Sequence, residues 1–134
     1  FVGRAGQLLN AMLKAVGLQR SEVYIANIVK CRPPNNRDPG PDEAASCRPY
    51  LLRQVELIRP KLILAVGRIA AHTLLGTDVN LGQLRGRVHR FGEQQIPLVV
   101  TYHPAYLLRS PEQKSKAWID LQLARSVVQG RPGL

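Results

Sequence analysis

The sequence predicts an α/β fold built on a mostly parallel sheet. Three observations carry that prediction. Short runs rich in Val, Ile and Leu recur at Val23–Val29, Lys61–Val66 and Leu98–Thr101, as expected of strands buried on both faces. Segments with apolar residues at three- and four-residue steps lie before, between and after them, as in amphipathic helices. The alternation of the two patterns is that of βαβ units.

Each element has its own signal. Ala5–Val16 carries Leu8, Leu9, Met12, Leu13 and Val16 on one helical face, and Gly17 is its stop. Val23–Val29 is a β-rich run with one polar member, Asn27. The ten residues 32–41 hold four prolines, two asparagines and a glycine, which predicts a stiff connection that is neither helix nor central strand. Asp42–Ile58 follows as a helix with Asp42 or Glu43 in its first turn, Pro49 kinking or dividing it, and Pro60 just past its end. Lys61–Val66 is a second buried strand, and Gly67 turns it into a short helix, Arg68–Leu75, that ends at Gly76. Arg87–Phe91 predicts a short strand and Leu98–Thr101 another, which runs out into Tyr102-His103-Pro104. Ser115–Gln129 is the last helix, with Trp118, Leu121 and Ala124/Arg125 alternating between its faces, and the tail from Gly130 to Leu134 is expected to be loose. Ligands of such sheets bind beyond the carboxyl ends of the strands. Two strand ends carry unusual residues, Asn27 to Arg37 and His103 to Arg109, and the pattern puts both on one rim.

Composition bounds the function. The 134 residues suit a single domain, and a hydrophobic share of 45% excludes a disordered chain. No apolar run approaches the ~20 residues of a membrane span, and no signal-peptide pattern opens the chain. The chain starts Phe1-Val2-Gly3, without Met, which reads as a trimmed piece. With 19 Lys and Arg against 9 Asp and Glu the formal charge is +10, so a polyanion is the first partner to consider. The plainer reading is a basic surface that only keeps the protein soluble. No basic run marks a tail, so an anion site would be a shaped surface. Two cysteines, Cys31 and Cys47, do not make a disulfide framework. They fit a cytoplasmic setting, where such residues are metal ligands, catalytic or simply buried. A tetrahedral metal site or a cluster would need further ligands from elsewhere.

His103 is the best catalytic candidate by position. It follows a buried strand, Pro104 keeps it out of the helical region, and a histidine there can donate to a developing anion or move a proton. The competing reading is a packed, satisfied histidine. His72, inside a short helix, reads as structural, and His89, among Arg85, Arg87 and Arg90, as part of a basic face. Asn27 interrupts an apolar strand, so it either bonds the backbone or reads a ligand such as the edge of a nucleobase. Arg32 and Arg37 flank the proline-rich segment, which could press on a phosphate backbone or be an ordinary surface connection. Gln83-Leu84-Arg85-Gly86-Arg87 could place Leu84 as a wedge between bases, or could be a simple hairpin. There is no P-loop, no GxGxxG, no HExxH and no paired-carboxylate constellation.

Taken in order, Phe1 to Leu9, the run Asn27-Ile28-Val29-Lys30-Cys31-Arg32-Pro33-Pro34-Asn35-Asn36-Arg37, Cys47, and His103-Pro104-Ala105-Tyr106-Leu107-Leu108-Arg109 resemble the iron–sulfur family 4 uracil-DNA glycosylases of bacteria and archaea. Each segment alone is weak; their order and spacing are specific and cover nearly the whole chain. The resemblance implies a three-layer α/β/α sandwich and excision of uracil from DNA by cleavage of the N-glycosidic bond. It implies that Phe1 stacks on the flipped uracil, Asn27 bonds its edge, and His103 stabilises charge on its carbonyl oxygen. Leu107 would fill the space the nucleotide leaves, and Cys31 and Cys47 would supply two of the four thiolates of a [4Fe–4S] cluster. The DNA-facing surface would comprise Arg32, Pro33, Pro34, Asn35 and Arg37, then Arg85 and Gly86, then Pro104, Tyr106, Leu107 and Arg109. Uracil-containing DNA would be the partner of a monomer that has no membrane role.

Members of that family begin with a strand bearing a Gly-Glu-Ala-Pro-Gly-like motif, which positions the attacking water, and two further cysteines. Neither occurs in this chain. The expectation is therefore one glycosylase-like domain over residues 1–134 that lacks its first strand and one cysteine pair, and that by itself has half a cluster site and no activity. Ala105 stands where a serine is common in related glycosylases, which removes a phosphate-bonding hydroxyl. Two further readings compete with the enzyme. One is a non-catalytic domain of the same fold that grips uracil or abasic DNA; the other is a related glycosylase with a different base preference.

Overall fold

The computed structural model describes residues 3–19, 21–26 and 41–130, with the first ten residues of the helix at 41–58 given as backbone except for Pro49. Among these residues four strands, β1 (Val23–Ala26), β2 (Leu62–Val66), β3 (Val88–Phe91) and β4 (Ile96–Thr101), form one sheet in the order β1-β2-β4-β3. β1 pairs with β2 and β2 with β4 in parallel, while β3 is an antiparallel edge. Among the described residues six α-helices accompany them: α1 (Gly3–Val16), α2 (Pro41–Ile58), α3 (Arg68–Leu75), α4 (Leu81–Leu84), α5 (Pro104–Arg109) and α6 (Lys114–Val128).

The sheet is covered on both faces, and β2 makes this plain because all five of its residues are buried. Ile63 and Ala65 point into a core shared with Leu51 and Val55 of α2 and Ala70, Ala71 and Leu74 of α3. Leu62, Leu64 and Val66 point the other way, into a core shared with Leu9, Leu13 and Val16 of α1 and Leu121 and Ala124 of α6. Alternation at the two-residue period of a strand thus gives three layers, α/β/α, as the resemblance implied. Burial of these side chains at roughly 1.5–3 kcal/mol each is the main stabilising term.

The elements fall close to the boundaries the sequence predicts. Two points differ. Pro49 lies inside α2 without dividing it; an exposed proline removes one backbone bond, and the long helix spans the gap. β4 starts at Ile96, ahead of Pro97. β2 pairs with β4 only from Leu98 onward, so the missing N–H of Pro97 costs no bond to β2. No helix among the described residues is long and apolar enough to cross a membrane.

Candidate active site

β1, β2 and β4 run parallel, so their carboxyl ends share one edge of the sheet. There β2 delivers Gly67, and β4 delivers Tyr102 and His103. An open cleft of about 770 Å³ is lined by these three together with Arg68, His72, Tyr106 and Arg109; Asp78, Asn80 and Leu81 complete the lining.

His103 is half-buried and is the N-cap of α5, with extended backbone and Pro104 at the first helical position. Its Nδ1 accepts the N–H of Ala105 at 3.0 Å. A ring nitrogen that accepts carries no proton, so in this state the imidazole proton sits on Nε2. The cap therefore fixes the tautomer as well as the ring's position. Gly67 has φ +95 and ψ 166, a region closed to other residues without strain. A Cβ on Gly67 would stand 3.2 Å from His103 Cβ and 3.6 Å from Cδ2, so the absence of a side chain is what lets the imidazole lie against the β2 exit. The Gly67 N–H also donates to Thr101 O at 2.9 Å, which ties the two strand exits together.

Behind His103 stands a charged network that the sequence reading missed. Asp120 of α6 is fully buried. Its Oδ2 accepts from Thr101 Oγ1 at 2.7 Å and from Arg85 Nε at 2.8 Å. Arg85 Nη2 donates to Lys116 O at 2.9 Å, and the guanidinium carbon lies 5.0 Å from the centroid of the Tyr102 ring, within cation–π range. Tyr102 in turn is 5.1 Å, centroid to centroid, from Tyr106. Burial pushes the Asp120 carboxyl above the usual carboxylate range, although the bonds from Arg85 and Thr101 pull it back in part. Burial alone would lower the Arg85 guanidinium, but the bond and charge of Asp120 outweigh it and hold it above its ordinary value. The sequence signal for Asp120 was an acid within the buried stripe Ala117, Leu121 and Ala124 of α6.

Several expectations need correction. Arg85 is committed to Asp120, with only 15% of its side chain exposed, and so does not present its charge to DNA. Leu84 is 7% exposed and packs in the core with Phe91 and Ile96, so it is no wedge. Leu107 is 2% exposed on the inner side of α5 and cannot fill the gap left by a flipped nucleotide without leaving the core. Pro104 is also buried, because the first residue of α5 faces inward. Tyr106 and Arg109 do reach the cleft, and Gly86 is exposed in a turn with φ +78. His72 Nε2 lies 2.7 Å from Val79 O and His89 Nε2 lies 2.9 Å from Leu84 O. His72 therefore closes the loop beside the cleft, as its structural reading anticipated. His89 is half-buried and bonded inward, not simply part of a basic face.

Phe1, Asn27, Cys31, Arg32, Pro33, Pro34, Asn35 and Arg37 lie outside the described residues. Cys47 falls on α2, described there by its backbone. Among the described residues no group of three or more His, Cys, Asp and Glu could hold a metal ion. The chain's two cysteines make half of a four-thiolate set, so its own residues do not complete a cluster site.

Residues 1–122 match the sequence model of the uracil DNA glycosylase superfamily. The chain belongs to that superfamily. It is similar to the type-4 uracil-DNA glycosylases of Pyrobaculum aerophilum (41% identical, over 92% of this chain and 66% of the relative) and Archaeoglobus fulgidus (42%, over 91% and 64%). It is likewise similar to that of Sulfurisphaera tokodaii, 45% identical over 95% of this chain and 61% of the relative. The chain thus spans just under two thirds of the length of these relatives. Ligands of open α/β sheets bind beyond the carboxyl ends of the strands, which makes the cleft at His103 the candidate site.

Proposed function

We propose that the protein carrying this chain is a DNA repair glycosylase that flips uracil out of DNA and hydrolyses its N-glycosidic bond. The observation that carries the reading is His103, held at the cleft as the N-cap of α5 with its Nδ1 accepting the Ala105 N–H, which puts the imidazole proton on Nε2. As the bond from C1′ to N1 breaks, the electron pair moves onto the uracil ring and charge grows on its carbonyl oxygen. A donor aimed at that oxygen lowers the barrier by about 3–4 kcal/mol. Water adds its hydroxyl to C1′, and its proton leaves with the uracil anion. Asn27, next in sequence after Ala26, reads the edge of the base, and Phe1 stacks on it. Arg32 and Arg37 of the proline-rich segment and Arg109 at the cleft meet the phosphates, which offset the few kcal/mol of flipping. The substrate is uracil-containing DNA in the cytoplasm, bound by a monomer.

Cys31 and Cys47 supply two of the four thiolates of a [4Fe–4S] cluster, the other two coming from a segment outside this sequence. The cluster would hold structure and take no part in breaking the glycosidic bond. Serine at Cys31 or Cys47 in the full-length protein is expected to lower bound iron and sulfide; unchanged iron would remove both residues from the ligand set.

The test is base release by the full-length protein from matched oligonucleotides holding uracil, thymine or hypoxanthine. Free uracil and an abasic site are expected from the first alone. Tight binding of uracil DNA without release would favour a binding domain instead, and preferential release of hypoxanthine a different base preference.

A further inference from the structure

The reaction outlined above makes no use of Asp120, yet a charge in the middle of a core is costly unless it is paired and its lone pairs are filled. Asp120 is 0% exposed, and among the described residues its Oδ1 has no hydrogen-bond partner. A fold that needed only bulk here would use Leu, as α6 does one residue on at Leu121. What the carboxylate holds is specific. Oδ2 grips Thr101, the last residue of β4, and Arg85, which covers the ring of Tyr102. Tyr102 meets Tyr106 of α5. His103 lies between Thr101-Tyr102 and Tyr106 in the chain, so both of its flanks trace back to one carboxylate.

We propose that Asp120 is a positioning residue for His103, acting with Arg85 and Thr101 to fix the strand exit and the tyrosine pair that hold the imidazole in the cleft. This rests on the glycosylase reading for its rate readout only. A reacting group displaced by about 1 Å can lose about 100-fold in rate, and the burial of both Asp120 and Thr101 leaves β4 little room to compensate. The Thr101 carbonyl, which accepts from Gly67 N–H at 2.9 Å, extends the same restraint to the residue packed against His103.

The test uses the full-length protein with Asp120→Asn, Arg85→Lys and Thr101→Val, each alone and combined with His103→Ala. Single-turnover uracil release is expected to fall about tenfold or more in Asp120→Asn, while affinity for abasic product DNA stays within about twofold. In the His103→Ala background the same substitution is expected to change the residual rate by less than about twofold, because its effect runs through the histidine. Equal factors in both backgrounds would overturn the proposal and leave Asp120 a packing residue. Should Asp120→Asn fail to fold, Arg85→Lys and Thr101→Val carry the same comparison. Ring-nitrogen NMR of His103 supplies a readout independent of activity. A wild-type ring with proton-free Nδ1, altered in Arg85→Lys and Asp120→Asn, supports the proposal even if the wild type releases no uracil, which would instead defeat the glycosylase reading. An unaltered ring would overturn the proposal whatever the rates.

Discussion

Replacing Gly67 by Ala adds one methyl group at the point where β2 meets the candidate catalytic histidine. Two costs follow. The first is backbone strain, since φ +95 with ψ 166 suits glycine alone, worth about 1–3 kcal/mol. The second is contact: the new Cβ would stand 3.2 Å from His103 Cβ, with Cδ2 at 3.6 Å and Cγ at 3.7 Å. Neither side yields easily. Gly67 is held by its N–H bond to Thr101, and His103 by the Ala105 N–H on Nδ1. The imidazole must therefore move by a few tenths of an ångström. Scaled from about 100-fold for 1 Å, that displacement predicts a loss of about three- to tenfold in single-turnover uracil release. The assay pairs that rate, measured on the full-length protein with enzyme in excess, with urea unfolding and with affinity for abasic DNA. The expected pattern is a lower unfolding midpoint, a slower release and little change in affinity. A lower midpoint with an unchanged rate would refute the claim that Gly67 sets the position of His103.

Two other predictions follow from burial and charge. Leu107→Ala is expected to lower stability by about 2–5 kcal/mol, as for other buried leucines, by urea unfolding; a loss below about 0.5 kcal/mol, the surface range, would mean Leu107 is not in the core. Asp120 takes up its proton at higher pH in the fold than in the unfolded chain, because burial raises its pKa. The stability this carboxyl contributes is thus complete below the ordinary Asp value and falls as pH rises through its raised folded value. Asp120→Asn, which cannot titrate, is expected to cost most stability at about pH 4 and less at about pH 7 by urea unfolding. A cost that grows with pH would show the carboxylate to be favoured in the fold.

Much of this architecture is legible in the sequence because its signals are local. Leu62–Val66 can only be a doubly covered strand, and the glycines at 17, 67 and 76 end the elements before them. His103 stands out for the same reason, a polar residue following an apolar strand and preceding a proline. What stayed hidden depends on partners far along the chain. Arg85 looks like any basic surface residue until α6 brings Asp120 beneath it, 35 residues on. Leu84 and Leu107 sit next to arginines or in a motif, and nothing local tells whether a leucine there turns in or out. Helix α4 was missed because it is four residues long, begun by Asn80 Oδ1 accepting from Gly82 N–H at 2.7 Å. Tyr102 reads as a strand-end aromatic, and its place between Arg85 and Tyr106 emerges only once three elements converge.

The central claim is that His103 donates to charge developing on the departing base. Its most direct test is single-turnover uracil release by the full-length protein with and without His103→Ala, alongside affinity for uracil-containing and abasic DNA. Loss of one such donor predicts a rate lower by about 100- to 1000-fold with DNA affinity nearly unchanged. An equal loss of rate and affinity, or a rate that survives the substitution, would contradict it.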